Sequence, residues 1–221
     1  MVSAVSELDS LTAAAALAAD GTRVGARAAI DALPWLSRAV DDDRASGRFT
    51  AWGLSTVIDE NTGTAVTARP LFEELHRRAG LATTWPIGNA GLLHCYGYLL
   101  SLEVTPYGLK RDRWVEGALA QACGLTADAF HPWHEGPTLL ARAMTAASAL
   151  LARPAASATE EIDGRKTRLA LSAEAGPAAL AYAVAPGPGT APLLVTMFPV
   201  GEASAPLDEF TADPRLRWNA V

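Results

Sequence analysis

In "TPYGLKRDRW", residues 105–114, three cations fall within four residues: Lys110, Arg111 and Arg113. Pro106 and Gly108 flank Tyr107 just ahead of them, and the whole chain holds only two lysines, Lys110 and Lys166. A turn that feeds a helix starting near Lys110 would present free backbone N–H groups, which attract anions. The three side chains would add charge-assisted hydrogen bonds to a carboxylate, phosphate or sulfate. Cations in a first helical turn oppose the helix dipole by ~0.3–1 kcal/mol each, a cost that a bound anion would offset. Lys110 and Arg113 are three residues apart and would share a helix face, which Arg111 would not join. The competing reading is an exposed turn whose charges are solvated, with Asp112 pairing locally.

Three further groups could do chemistry. In "GLLHCYGYLL" the residues His94, Tyr96 and Tyr98 alternate. On a strand they would form one row, able to orient a substrate and move a proton near neutral pH, with Tyr107 extending it. A buried aromatic sheet face is the plainer alternative. In "VIDENTG", Asp59 and Glu60 could take a proton from an amine or hydroxyl. The same residues with Asn61 are ordinary turn formers. In "HPWHEG", His131, His134 and Glu135 make only a weak metal pattern, so no metal is expected. The chain contains no GxGxxG, Walker or GxSxG motif. Cys95 and Cys123 form no CxxC and read as inert thiols of a reducing compartment.

The elements that must position these groups can be sketched from pattern. Residues 6–46 read as helical, with Ser6 a cap, Gly21 a stop and Pro34 a break. Strands are predicted at about 49–58 and 64–68 around the "DENTG" turn. A helix follows from Pro70 to its cap at Gly80. Residues 89–104 read as a strand, from their tyrosines, Gly97 and the Pro106 stop. A helix competes, because Leu92, Cys95, Leu99 and Leu102 lie on one helical stripe. Helices are predicted from Lys110 to Gly124 and over "TLLARAMTAASALLARP", up to Pro154. An Asp163–Gly164 hairpin and two strands around "PGPG" make residues 158–200 a small antiparallel sheet. The last twenty residues read as an extended tail. The fold class is α+β, with N-terminal and central helices, a mainly antiparallel sheet and C-terminal strands. Residues 1–221 are read as one domain, with a soft boundary near 154.

The totals set limits. With 221 residues, half of them apolar, the chain can bury a real core without staples. The net charge of −6 is split evenly between the halves, so no basic face for nucleic acid emerges and anionic membranes are disfavoured. No run is long and apolar enough for a membrane span, and the N-terminus has no signal-peptide pattern. A cytoplasmic protein is expected.

The stretch "GLLHCYGYLLSLEVTPYGLKRDRWVEGALA", with the chain length and the "LLVTMFPV … LRWNAV" ending, resembles the larger subunit of actinobacterial aziridine-forming enzymes of azinomycin- and vazabitide-type biosynthesis. The resemblance is diffuse and covers most of the chain. It implies an unusual fold, a small second subunit and no cofactor. The implied activity closes an aziridine ring by attack of an amine on a carbon bearing sulfate, which is expelled. The implied substrate is a diamino acid derivative on a small acidic amino-group carrier protein. No catalytic residue of that family maps by motif, so roles come from the residues themselves. Lys110, Arg111 and Arg113 would receive sulfate, Tyr96, Tyr98 and Tyr107 would line the substrate, and Glu60, Asp59 or His94 would take the amine proton. "KRDR", or "RKTR" at 165–168, would meet the acidic carrier. Two other readings compete: a lyase or deaminase of a small amino or carboxylic acid, and a noncatalytic subunit that docks a partner.

Overall fold

The computed structural model describes residues 4–187 and 189–217. The "LRWNAV" ending falls largely outside them. The fold is α+β. The N-terminal helical region is three helices: α1 (Ala4–Ala18), α2 (Arg23–Asp31) and α3 (Pro34–Ala45). Ser6 therefore lies inside α1 rather than capping it. Gly21, at φ 69°, turns the chain, and Thr22 caps α2 by accepting from the Gly25 amide at 3.0 Å. Pro34 starts α3, as its fixed φ and missing N–H favour.

The strand predicted from about 49 begins as a 3-10 turn, Arg48–Ala51, and only β1 (Leu54–Thr56) is extended. Its partner is β2 (Ile87–Asn89), not residues 64–68. The "DENTG" turn does fold back, through an isolated Ile58–Ala65 bridge. Helix α4 (Arg69–Ala79) carries Pro70 in its first turn and ends at Gly80, φ 67°.

Residues 90–100 are helical, which corrects the strand reading. Helix α5 (Ala90–Leu92) runs into a π turn, Leu93–Gly97, and a 3-10 turn, Tyr98–Leu100. Asn89 caps the start, its Oδ1 accepting from the Leu92 amide at 3.0 Å. Every residue of the run is buried. A Cβ on Gly91 would come within 2.6 Å of the Trp52 ring, so the close approach selects glycine. Burial on all sides overrides the β preference of the tyrosines.

A hairpin of β3 (Val104–Thr105) and β4 (Gly108–Leu109) follows. The helix expected over 110–124 is two pieces, α6 (Asp112–Val115) and α7 (Ala118–Ala122), split at Gly117, φ 83°. Helix α8 (Leu139–Ala152) is capped by Thr138. Then β5 (Ala156–Ile162), β6 (Arg165–Leu171), β7 (Ala178–Ala185) and β8 (Leu193–Val200) form an antiparallel meander, turning first at Asp163–Gly164. Of the last twenty residues, read as an extended tail, Ser204–Ala212 fold into helix α9, residues 213–217 carry no helix or strand, and residues 218–221 lie outside the described residues. Ala170, Ala179, Ala181 and Met197 face a core shared with the helices. Leu169, Leu180 and Tyr182 face the other way, against Phe210 of α9.

Candidate functional site

Because residues 90–100 are helical, His94 and Tyr98 stand one turn apart and face the same way. Their rings meet with centroids 4.8 Å apart. Tyr96 points elsewhere. Its hydroxyl donates to buried Asp43 at 2.5 Å, a carboxylate that also accepts from the half-buried Arg48 (2.9 Å) and Thr138 (2.6 Å). Burial pushes the Asp43 carboxyl up against the pull of those three donors. Tyr96 thus ties α3 to the start of α8 and takes no part in a row with His94.

Two cations reach the ring of the buried Tyr98. The Lys110 ammonium lies 5.8 Å and the Arg113 guanidinium carbon 5.3 Å from its ring centroid, both within cation–π range. They differ in compensation. Lys110 is ion-paired with Asp59, whose other oxygen accepts from the Asn61 (2.9 Å) and Thr62 (3.1 Å) amides. Arg113 has no carboxylate within 4.0 Å among the described residues. It lies between Tyr98 and Phe198, 5.7 Å from the latter ring, and makes only long bonds, to Thr196 Oγ1 (3.4 Å) and the Met197 carbonyl (3.3 Å).

The electrostatics follow from burial and these charges. Burial holds the His94 imidazole well below its usual 6.5, reinforced by Arg113 and Lys110. It is therefore a neutral base near pH 7. Its Nε2 sits 3.3 Å from the Ser55 hydroxyl, and its buried Nδ1 has no hydrogen-bond partner among the described residues. Burial raises the Tyr98 phenol to about 12, so it stays a proton donor. Burial works to raise Asp59, but Lys110 and the two turn amides outweigh it and the net shift is downward. Burial lowers Lys110 despite the pull of Asp59.

Of the residues read from sequence, the fold gathers Asp59, His94, Tyr98, Lys110 and Arg113. It places the others apart. Glu60 is exposed, although its charge reaches Lys110 and Tyr98. Tyr107 projects from the hairpin tip, 82 % exposed. Arg111 turns toward α1 and donates to Thr12 Oγ1 at 2.9 Å. The expected helix N-terminus is absent as an anion site, because α6 is one short turn and Asp112 itself accepts from the Leu109 amide at 3.0 Å. Ser55, Thr196 and Phe198 were not anticipated. Thr196 and Phe198 lie two apart on β8 and share a face, but nothing in the sequence ties that face to residues 94–113.

The 131–135 loop serves structure. His131 Nε2 meets the Val115 carbonyl at 3.1 Å, and His134 Nδ1 the Glu135 carbonyl at 2.7 Å. No group of three or more metal-ligating side chains occurs among the described residues. Cys95 is buried, and its thiol is pushed well up by desolvation. No helix among the described residues is long and apolar enough to cross a membrane. No family model, no curated protein and no solved structure matches the chain.

Proposed function

We propose that the chain is a cofactor-independent enzyme subunit that binds an oxyanion-bearing small substrate at Arg113 and removes a proton with neutral His94. The observation that carries this reading is the uncompensated Arg113 guanidinium, held between Tyr98 and Phe198 beside His94. A planar guanidinium with unspent donors suits a sulfate or carboxylate. The specific reaction we favour is the one implied by the resemblance to aziridine-forming enzymes. The amine nitrogen of a carrier-bound diamino acid derivative forms a C–N bond as the C–O bond to sulfate breaks. The bonding pair leaves with sulfate, toward Arg113. The amine proton passes to His94, directly or through Ser55, whose hydroxyl lies 3.3 Å from Nε2. Holding nitrogen and leaving group antiperiplanar is an orientation effect worth several kcal/mol. Asp59 is spent on Lys110 and its turn amides, and Glu60 is exposed, so His94 is the better base.

A noncatalytic docking role is the second reading. It is favoured by the β3–β4 hairpin, where Val104 (68 %) and Tyr107 (82 %) stand exposed just before Lys110. A small second subunit or the acidic carrier would then meet this hairpin. The experiment is calorimetric titration with sulfate and acetate at low salt, on the wild type and Arg113→Ala. Sulfate heat that disappears in Arg113→Ala supports the first reading. Wild type without sulfate heat, or a variant binding as well as wild type, overturns it in favour of docking.

A further inference from the structure

A groove of about 630 Å³ runs along the outer side of α8, away from Arg113 and His94. That volume falls in the range of small-molecule sites. Its floor is made of small residues on one helical face, including Ala141, Thr145 and Ala149. Its wall comes from the 123–137 segment, with Cys123 and Leu125. From Ala141 to Arg153 the floor extends roughly 18 Å along the helix.

The charges lining this groove are all positive: Arg142 and Arg153, with no acid. Arg142 is spent on the wall. Its guanidinium donates to the carbonyls of Ala129 (2.5 Å), His131 (2.9 Å) and Thr138 (3.4 Å), fixing the segment that faces α8. Arg153 differs. It is exposed, it caps the end of α8, and no hydrogen bond or ion pair of its side chain occurs among the described residues. The Ala155 amide donates to the Leu171 carbonyl at 2.9 Å, which seats this end of the helix beside Ser172 at the sheet edge. The groove thus joins a largely apolar trough to one uncommitted cation and to the hydroxyl of Ser172, the Thr145 hydroxyl being spent on the Ala141 carbonyl. Its local charge selects an anion, and its end of the helix would otherwise repel one.

We propose that this groove binds a small amphipathic carboxylate, with the apolar body along the Ala141–Ala149 face and the carboxylate on Arg153. The site is independent of the Arg113 cluster, so its test does not depend on that reading. Octanoate, octanol and octylammonium are titrated into the full chain by calorimetry. In parallel, Cys123 labelling by a maleimide is followed at alkaline pH, with the fully buried Cys95 expected to remain silent. Octanoate should bind at least ~tenfold tighter than octanol or octylammonium, as a charge-assisted bond requires, and should slow labelling of Cys123. Arg153→Ala should remove that preference. Ala149→Trp, at an exposed position, should fill the trough and abolish binding without unfolding the protein. Equal binding of octanol and octanoate, or unprotected Cys123 at saturating octanoate, overturns the proposal. So does self-association that Ala149→Trp abolishes, since the face would then belong to a second copy.

Discussion

Replacing Lys110 with Met should destabilise the protein by about 3 kcal/mol, the lower end of what breaking a buried ion pair costs. The Asp59 side chain is only 2 % exposed and Lys110 15 %, so solvent cannot take over the lost partner. Asp59 would keep its two amide donors but lose its counter-charge. Asp59→Asn should cost a similar amount, because it strands a half-buried ammonium. The double variant should cost only about 1 kcal/mol, since an Asn at 59 still accepts from the Asn61 and Thr62 amides and no charge is left unpaired. The expected coupling is therefore several kcal/mol, read from urea unfolding of the four proteins. In a chain of this size, 3 kcal/mol corresponds to roughly 6–12 °C in Tm. Additive single effects, with coupling under about 0.5 kcal/mol, would refute the idea that this is a desolvated pair rather than a screened surface contact. The double variant also tests function. If Lys110 only holds the 59–64 turn against the hairpin, sulfate binding should survive in it. If Lys110 itself receives the anion, binding should fail there as it should in Arg113→Ala.

Acid should destabilise the fold below about pH 6.5. Burial holds both His76 and His94 below their usual 6.5; His76 Nδ1 donates to the Phe72 carbonyl and Nε2 accepts from the Asn89 amide, so it is neutral. The unfolded chain then binds more protons, and the stability present above 6.5 declines as pH falls toward the folded values, by up to about 1.4 kcal/mol per pH unit for each imidazole. Urea unfolding between pH 7.5 and 5.5 checks this, and a flat profile would refute it. Tyr96→Phe should cost about 1–3 kcal/mol by removing one of the three donors to buried Asp43, with Arg48 and Thr138 left in place. It should leave sulfate binding unchanged, and weakened binding would return Tyr96 to the site.

Local signals were legible at several turns and stops: Gly80 ends α4 in the left-handed region and Asp163–Gly164 turns the β5–β6 hairpin, whereas the Ser6 cap and the break at Gly117 were misread. Residues 90–100 were misread as well. Their state is fixed by what surrounds them: the Trp52 ring against Gly91, the Asn89 cap and burial on every side. A helical period was visible in the stripe of Leu92, Cys95, Leu99 and Leu102, the last of which falls beyond the helical run, and the tyrosines outweighed it. The same error misplaced Tyr96, because alternate residues share a face on a strand but diverge on a helix. Charge spacing was legible in part: Lys110 and Arg113 reach the same ring, Tyr98, whereas Arg111 turns toward α1 and the expected helix N-terminus is absent.

The proposed role of Arg113 rests on the contrast between the two cations. Lys110 has what a structural cation needs, a buried carboxylate that is itself held by backbone amides. Arg113 lacks that. A guanidinium could be kept at this position merely to cover the free edge of β8, since it donates to the Met197 carbonyl. That bond is 3.3 Å long and employs one of five donors. Capping one carbonyl does not call for a desolvated charge, and burial lowers the pKa of Arg113, which marks its present surroundings as unfavourable to the cation. An anion arriving between Tyr98 and Phe198 would reverse that sign, so ligand binding and stability should rise together. Sulfate should therefore raise the Tm of the wild type and leave that of Arg113→Ala unmoved.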